Sequence, residues 1–210
     1  MSSANAQPDC LVLASSSPRR QSLLSQAGYR FEVVYPPVDE PDAILSKLPP
    51  AQQAESLSYF KARSVWDAMP DSFVLGADTI VAVGSQVLGK PIDASDARRM
   101  LQTLSASRHA VITGVTIIGP QGRRLIASDT TYVTMRHLSA DDINGYVESG
   151  EWEGKAGAYA IQETADRFVI NIEGSFSNIV GLPVELVHKM LDELLAHPNQ
   201  HAVQCSTNDQ

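Results

Sequence analysis

The residue with the strongest chemical claim in this chain is Asp78, a carboxylate in the middle of the apolar run Phe73–Val83, FVLGADTIVAV. Aliphatic and β-branched residues bounded by turn signals read as a buried strand, and Gly84-Ser85 joins this one in a hairpin to Gln86-Val87-Leu88. A lone ionised Asp costs on the order of several kcal/mol to bury. Asp78 therefore needs a cation, a set of donors or water beside it, unless it only caps a turn. Side chains alternate along a strand, so Asp78 shares its face with Gly76, Ile80 and Ala82, and Gly76 predicts room for a ligand two residues before the carboxylate.

Cations and further polar groups come from other stretches. Ser15-Ser16-Ser17-Pro18-Arg19-Arg20 follows the short apolar strand Cys10–Ala14 and opens a helix that Gly28 stops, with Ser17 suited to the N-cap and Pro18 to the first helical position. Arg19 and Arg20 then sit where the helix dipole disfavours cations, a conflict that a bound anion would repair. Backbone N–H groups, the hydroxyls of Ser15 and Ser17 and two guanidiniums at a helix start describe a phosphate site; the simpler alternative points both arginines to solvent. Between prolines, Asp39 and Glu40 are either a solvated turn or oxygen ligands for a hard divalent ion. Lys61 lies in the middle of the apolar face of a helix over Pro50–Met69, formed by Ala54, Leu57, Phe60, Val65, Ala68 and Met69, so its ammonium either snorkels or emerges in a cleft. Gly89-Lys90-Pro91 is a short loop bearing one cation. In Glu151–Gln162, small residues around Lys155, Tyr159 and Gln162 predict close backbone approach to a ligand, and the Gln162 amide offers a donor and an acceptor suited to a base edge.

The elements that must position these groups alternate between strand and helix. Tyr29–Tyr35 partly alternates as a strand, and Asp93–Leu104 reads as a helix with Asp93 or Ser95 near its start. His109–Ile118 and Arg124–Met135 are two strands joined through Gly119-Pro120-Gln121-Gly122, in which His109 reads as a packed or capping residue. Ser139-Ala140-Asp141-Asp142 is a capping box opening a helix to Ser149. A strand over Phe168–Ile172 precedes a last helix with Pro183 near its first turn and Val184, Val187, Leu191 and Leu194 on its core side. The polar ends, 1–9 and 197–210, read as disordered tails flanking a single two-lobed domain over 10–196.

A chain of 210 residues with 43% hydrophobic content can bury a core as one α/β domain or as two lobes around a cleft. With 16 basic and 24 acidic residues the net charge is -8, which repels a long polyanion and favours a small nucleotide over DNA or RNA. The two cysteines, Cys10 and Cys205, show neither disulfide nor zinc spacing, and no stretch has the length to span a bilayer. A soluble, unexported protein of the reducing cytoplasm is expected, without membrane or nucleic-acid polymer as partner.

Taken together, ASSSPRR, VDE, Lys61, GADTIV, GKP, KAGAYAIQ and GLP, in this order between about Leu11 and Leu195, resemble the Maf family of nucleoside triphosphate pyrophosphatases. The resemblance implies an α/β fold of the Maf and inosine triphosphatase-like kind, with a long mixed sheet, flanking helices and two lobes around a central cleft, often in a homodimer. It also implies hydrolysis between the α- and β-phosphates of a nucleoside triphosphate substrate, with a divalent metal cation, Mg²⁺ or Mn²⁺. By the same resemblance Asp78 matches the catalytic proton acceptor and Glu40 the acidic residue of the metal or water shell. Lys61, Lys90, Arg20 and Lys155 match basic cleft positions, and Arg19, Thr79 and Gln162 match the branch acting on dTTP and UTP. The chain departs from many relatives at Glu151-Trp152-Glu153-Gly154 and at Glu163. Asp78 could deprotonate the attacking water or ligate the metal. A nucleotide-binding regulator of cell division would need the cations but has less use for Glu40 and Asp78, and an RNA-binding domain conflicts with the acidic balance.

Overall fold

The apolar run around Asp78 folds as an inner strand of a seven-stranded sheet. The computed structural model describes residues 8, 10–37, 45–162 and 164–196; the expected tails, the Asp39–Glu40 turn and Glu163 lie outside the described residues. In chain order the elements are β1 (Leu11–Ala14), α1 (Pro18–Gln26), β2 (Glu32–Val34), α2 (Pro50–Trp66), β3 (Phe73–Val83), β4 (Gln86–Leu88) and α3 (Ala94–Leu104). They continue with β5 (Arg108–Ile118), β6 (Arg124–Met135), α4 (Ala140–Glu148), β7 (Val169–Glu173), α5 (Phe176–Val180) and α6 (Val184–Ala196). The sheet runs β2-β1-β3-β5-β6-β7, with β4 folded back on the end of β3. β1 pairs in parallel with β2 and β3, and the remaining pairs are antiparallel, so the sheet is mixed and the class is α/β. Among the described residues no helix is long and apolar enough to cross a membrane.

Most element starts follow from their caps. Asp93 accepts from the Asp96 N–H to open α3, and Ser139 and Asp142 form the reciprocal capping box of α4. Two strand boundaries differ from their reading, and one short helix has no counterpart in it. β2 covers only Glu32–Val34 because its sole partner, β1, ends at Ala14 and offers no further register. β7 starts at Val169, since Phe168 is fully buried at the end of a short 3₁₀ turn. The five-residue helix α5, capped by the Ser175 hydroxyl, has no periodic signal long enough to announce it.

The larger correction concerns Gly76. A Cβ there would sit 2.4 Å from the Ser58 carbonyl oxygen and 2.7 Å from the Ala62 nitrogen, so the space predicted for a ligand is filled by the backbone of α2. Gly114 on β5 works the same way: its Cβ would lie 2.2 Å from the Ala54 carbonyl. Ala54, Ser58 and Ala62, spaced four apart, form the ridge that settles on these two glycines, and all three are buried. The helix face is therefore rotated from the one read off large apolar residues; Phe60 is 39% exposed, and α2 ends at Trp66. The Ser58 hydroxyl finds Thr116 Oγ1 at 2.8 Å, which satisfies both groups inside the contact.

Hydrophobic packing breaks along β3. On its odd-numbered face Leu75 and Ala77 join one cluster with Leu13, Leu24 and Leu191, whereas Val81 joins another with Leu101, Tyr146 and Phe168. On the even face Val74 packs with Ala62 and Val65, and Ile80 and Ala82 pack with Ala54. Asp78 and Thr79 fall in the gap on their respective faces.

The glycine contact gives a direct test. Gly114→Ala should destabilise the protein by about 3 kcal/mol or more, because the methyl group meets backbone that cannot move aside. The midpoint of urea unfolding reads this loss.

Candidate active site

Asp78 is 8% exposed, and the cation it needs is Lys61, whose Nζ donates to Asp78 Oδ1. Both side chains are close to buried, so the pair satisfies by ion pairing a charge that the strand would otherwise reject. Lys61 reaches the carboxylate because it stands one turn past Ser58 on the helix that Gly76 draws onto the sheet.

The pair borders a cleft of about 450 Å³ beside β3, beyond the point where β1 ends opposite Gly76. Ser15, Ser17, Arg19 and Arg20 enter from the β1–α1 junction, Thr79 from β3, Lys90 from the loop after β4, and Lys155 and Gln162 from the segment after α4. All the sequence candidates among the described residues thus line one cleft. Glu40 lies outside the described residues. Five cationic side chains, Arg19, Arg20, Lys61, Lys90 and Lys155, line it with Asp78, the one carboxylate among the described lining residues. In a chain of net charge -8 this is a local inversion of sign, and it concentrates anions.

Arg20 does not point to solvent. Its Nε donates to the Gly181 carbonyl at 2.8 Å, Nη2 to Thr79 Oγ1 at 3.1 Å and Nη1 to Ser15 Oγ at 3.4 Å. One guanidinium thereby ties the start of α1, the middle of β3 and the end of α5. Ser17 occupies the N-cap position of α1 without a side-chain cap bond, and its own N–H donates to Ser15 Oγ at 3.2 Å. Hydroxyl, N–H and guanidinium groups gather at this helix start, the arrangement that binds phosphate.

In the glycine-rich stretch Gly154, Ala156 and Ala160 line the cleft as read, and Gly157 departs from the reading. Gly157 has φ +69°, and a Cβ there would press on Val81 at 3.0 Å, so the close approach is to β3 rather than to a ligand. The Gly157 N–H donates to the Gly89 carbonyl at 3.0 Å, which sets the Lys155 segment against the Lys90 loop. Behind it, Tyr159 Oη and His109 Nε2 are 2.7 Å apart, and the Ala160 N–H donates to Tyr146 Oη at 3.4 Å. Burial raises the Tyr159 hydroxyl well above its ordinary value and lowers the His109 imidazole to about 4, so His109 is a neutral packed residue as its sequence context suggested.

Other parts of the site were not nominated from sequence. Val81, Val111, Ile179 and Val180 contribute apolar cleft wall, the last two from α5. Thr113 and Asn178 lie fully buried behind Thr79. A threonine in a β-strand and an Asn between Ser177 and Ile179 carry no local mark of such a role; only their cross-strand and cross-element neighbours disclose it.

No group of three or more His, Cys, Asp or Glu side chains that could hold a metal occurs among the described residues. A hard divalent cation such as Mg²⁺ needs less, since one or two carboxylates with substrate phosphates and water complete its shell. Asp78, a carboxylate facing a cation-lined cleft, fits that donor set.

A mixed α/β sheet cut by a basic cleft with one paired carboxylate defines a protein built to hold a small polyanion. The chain belongs to the Maf-like protein family, whose sequence profile matches residues 10–194. It is 45% identical over 185 residues to a dTTP/UTP pyrophosphatase of Ruminiclostridium cellulolyticum, covering 88% of this chain and 95% of the relative. A dTTP/UTP pyrophosphatase of Moorella thermoacetica is 44% identical over 182 residues, 86% of this chain and 93% of that one. Among solved structures, a HAM1 protein from Coxiella burnetii is similar with a TM-score of 0.48 at 13% identity, over 88% of this chain and 98% of that one.

The Lys61–Asp78 pair should show as coupling in a double-mutant cycle. Lys61→Met alone lowers stability by leaving a buried carboxylate unpaired, and adding Asp78→Asn recovers part of the loss, with a coupling of about 1–3 kcal/mol in chemical denaturation. His109 predicts a pH effect. The unfolded imidazole protonates near its ordinary 6.5 and the folded one only at about 4, so the unfolded chain holds the extra proton between these values. Stability is then lost as pH falls through that window, by up to about 1.4 kcal/mol per pH unit, and His109→Gln should remove this contribution from the measured slope.

Proposed function

We propose that the protein hydrolyses dTTP and UTP to the nucleoside monophosphate and pyrophosphate. The observation that carries this reading is the Asp78 carboxylate, fixed by Lys61 at the edge of a cleft otherwise lined by cations. A protein that only binds a triphosphate has less use for a carboxylate held beside the phosphates, because like charges repel. A hydrolase needs one to receive the proton of the attacking water.

In this reading the triphosphate lies between the Ser15–Arg20 turn and the lysines Lys90 and Lys155. Water attacks the α-phosphorus, Asp78 takes its proton, and the bond from the α-phosphorus to the bridging oxygen breaks, so pyrophosphate leaves with the electron pair. Arg19, Lys61, Lys90 and Lys155 are placed to stabilise the charge that builds on the leaving group. The carboxylates of Asp78 and Glu40, with phosphate oxygens, would hold a divalent cation, Mg²⁺ or Mn²⁺, which neutralises charge on the phosphates when bound. Val81, Val111, Ile179 and Val180 flank the base, and Thr79 and Gln162 supply polar groups for its edge. Such an enzyme would act in the cytoplasm, where nucleoside triphosphates are made.

Pyrophosphate release from purified dTTP, UTP, CTP, 5-methyl-UTP, pseudo-UTP and 7-methyl-GTP, with Mg²⁺ or Mn²⁺, tests the proposal. Release from dTTP and UTP is expected, falling about 10³-fold or more in a folded Asp78→Asn variant. Silence across the panel would favour a nucleotide-binding regulator, and an unchanged rate in Asp78→Asn would remove that residue from the chemistry.

A further inference from the structure

Thr79 borders the cleft, and its hydroxyl is bound from behind on two sides. Arg20 Nη2 donates to Thr79 Oγ1 at 3.1 Å, which uses one lone pair of that oxygen. Thr113, directly opposite on β5, places its Oγ1 2.9 Å from Thr79 Oγ1, and either hydroxyl could donate in that contact taken alone. The next group removes the ambiguity. Thr113 Oγ1 lies 3.2 Å from the backbone carbonyl of Asn178, which can only accept and also receives the Gly181 N–H at 3.0 Å; this is shorter than the 3.5 Å from Thr79 Oγ1 to the Gly181 carbonyl, so the Thr113 proton goes to Asn178. Thr113 Oγ1 then has lone pairs but no proton for Thr79, and Thr79 must donate to it. The Gly181 carbonyl, the competing acceptor for the Thr79 proton, also already receives one donor, Arg20 Nε at 2.8 Å, so the longer distance is what sets it aside.

We infer that Thr113 is a positioning residue that fixes the direction of the Thr79 hydroxyl, so that Thr79 faces the cleft as a hydrogen-bond acceptor only. This rests on the nucleotide reading of the cleft and adds to it the class of base admitted. The pocket requires a base whose edge carries an N–H, as uracil and thymine do at N3 and cytosine at its amino group. It rejects a ring of the same shape that offers acceptors alone. Thr113 is fully buried and touches no ligand; it acts through Thr79. Asn178, also fully buried, is held by its own Nδ2 donations to the Val111 carbonyl and Thr131 Oγ1, both at 3.0 Å, so the accepting carbonyl cannot turn away.

The test compares UTP with the triphosphate of pyrimidin-2-one riboside, a pyrimidine that is no larger and has no N–H on its edge. In the unaltered protein kcat/KM for UTP should exceed that for the analogue by about tenfold, the order of effect of losing one hydrogen bond between pocket and base. Thr113→Val keeps the shape and frees the Thr79 proton to turn toward the cleft, so the ratio should fall several-fold toward unity. Thr113→Ser keeps the hydroxyl and should keep the ratio. A purely packing role would lower both substrates equally in the valine variant and leave the ratio unchanged, which overturns the inference. Comparable efficiencies for the two triphosphates in the unaltered protein overturn it without any variant, so a valine variant that fails to fold does not shield it. If the unaltered protein releases pyrophosphate from no nucleotide at all, it is the enzymatic reading that has failed.

Discussion

Everything at the site depends on how closely α2 lies on the sheet. Two residues without side chains, Gly76 and Gly114, let the ridge of Ala54, Ser58 and Ala62 descend until helix backbone touches strand backbone. Lys61, one turn past Ser58 of that ridge, meets the strand carboxylate. Because it does, a buried Asp is tolerated in the middle of an otherwise apolar strand, and its charge is held at a known place rather than dispersed in solvent.

The second organising fact is the coincidence of two interruptions. On one face of β3 the hydrophobic clusters part at Thr79, and on the other they part at Asp78. β1 ends at Ala14, opposite Gly76, so beyond that point the edge of β3 beside Asp78 and Thr79 has no β1 neighbour and borders the cleft. Asp78 pairs with Lys61 on one face, and Thr79 is bound by Arg20 and Thr113 on the other. Arg20 spans segments that are remote in sequence, reaching from α1 to Gly181, and ties the rim of the cleft together.

Charge supplies the third constraint. An acidic protein with a cleft of opposite sign attracts small anions locally while its wider surface turns long ones away. That combination matches a free nucleotide better than a nucleic acid.

Much of this was legible in the residues. The strand around Asp78, the hairpin after it, the helix opened by Pro18 and the capping box at Ser139 all follow from local patterns whose causes lie within a few positions of the chain. The chemical character of Arg19, Arg20 and Lys61 was visible for the same reason: a charge in an apolar or dipole-opposed setting is a conflict that local sequence displays. What tertiary structure alone decided is which group answers each conflict. Gly76 reads as an empty space, yet whether a ligand or a helix fills it depends on Ser58 and Ala62, distant in sequence and brought there by packing. Thr113 and Asn178 carry no local mark at all, because the direction of a hydroxyl proton is set by partners from β3 and α5 that meet only after the chain has folded. Local sequence specifies the needs of each residue through short-range energetics, and long-range contacts, which depend on the whole fold, determine how those needs are met.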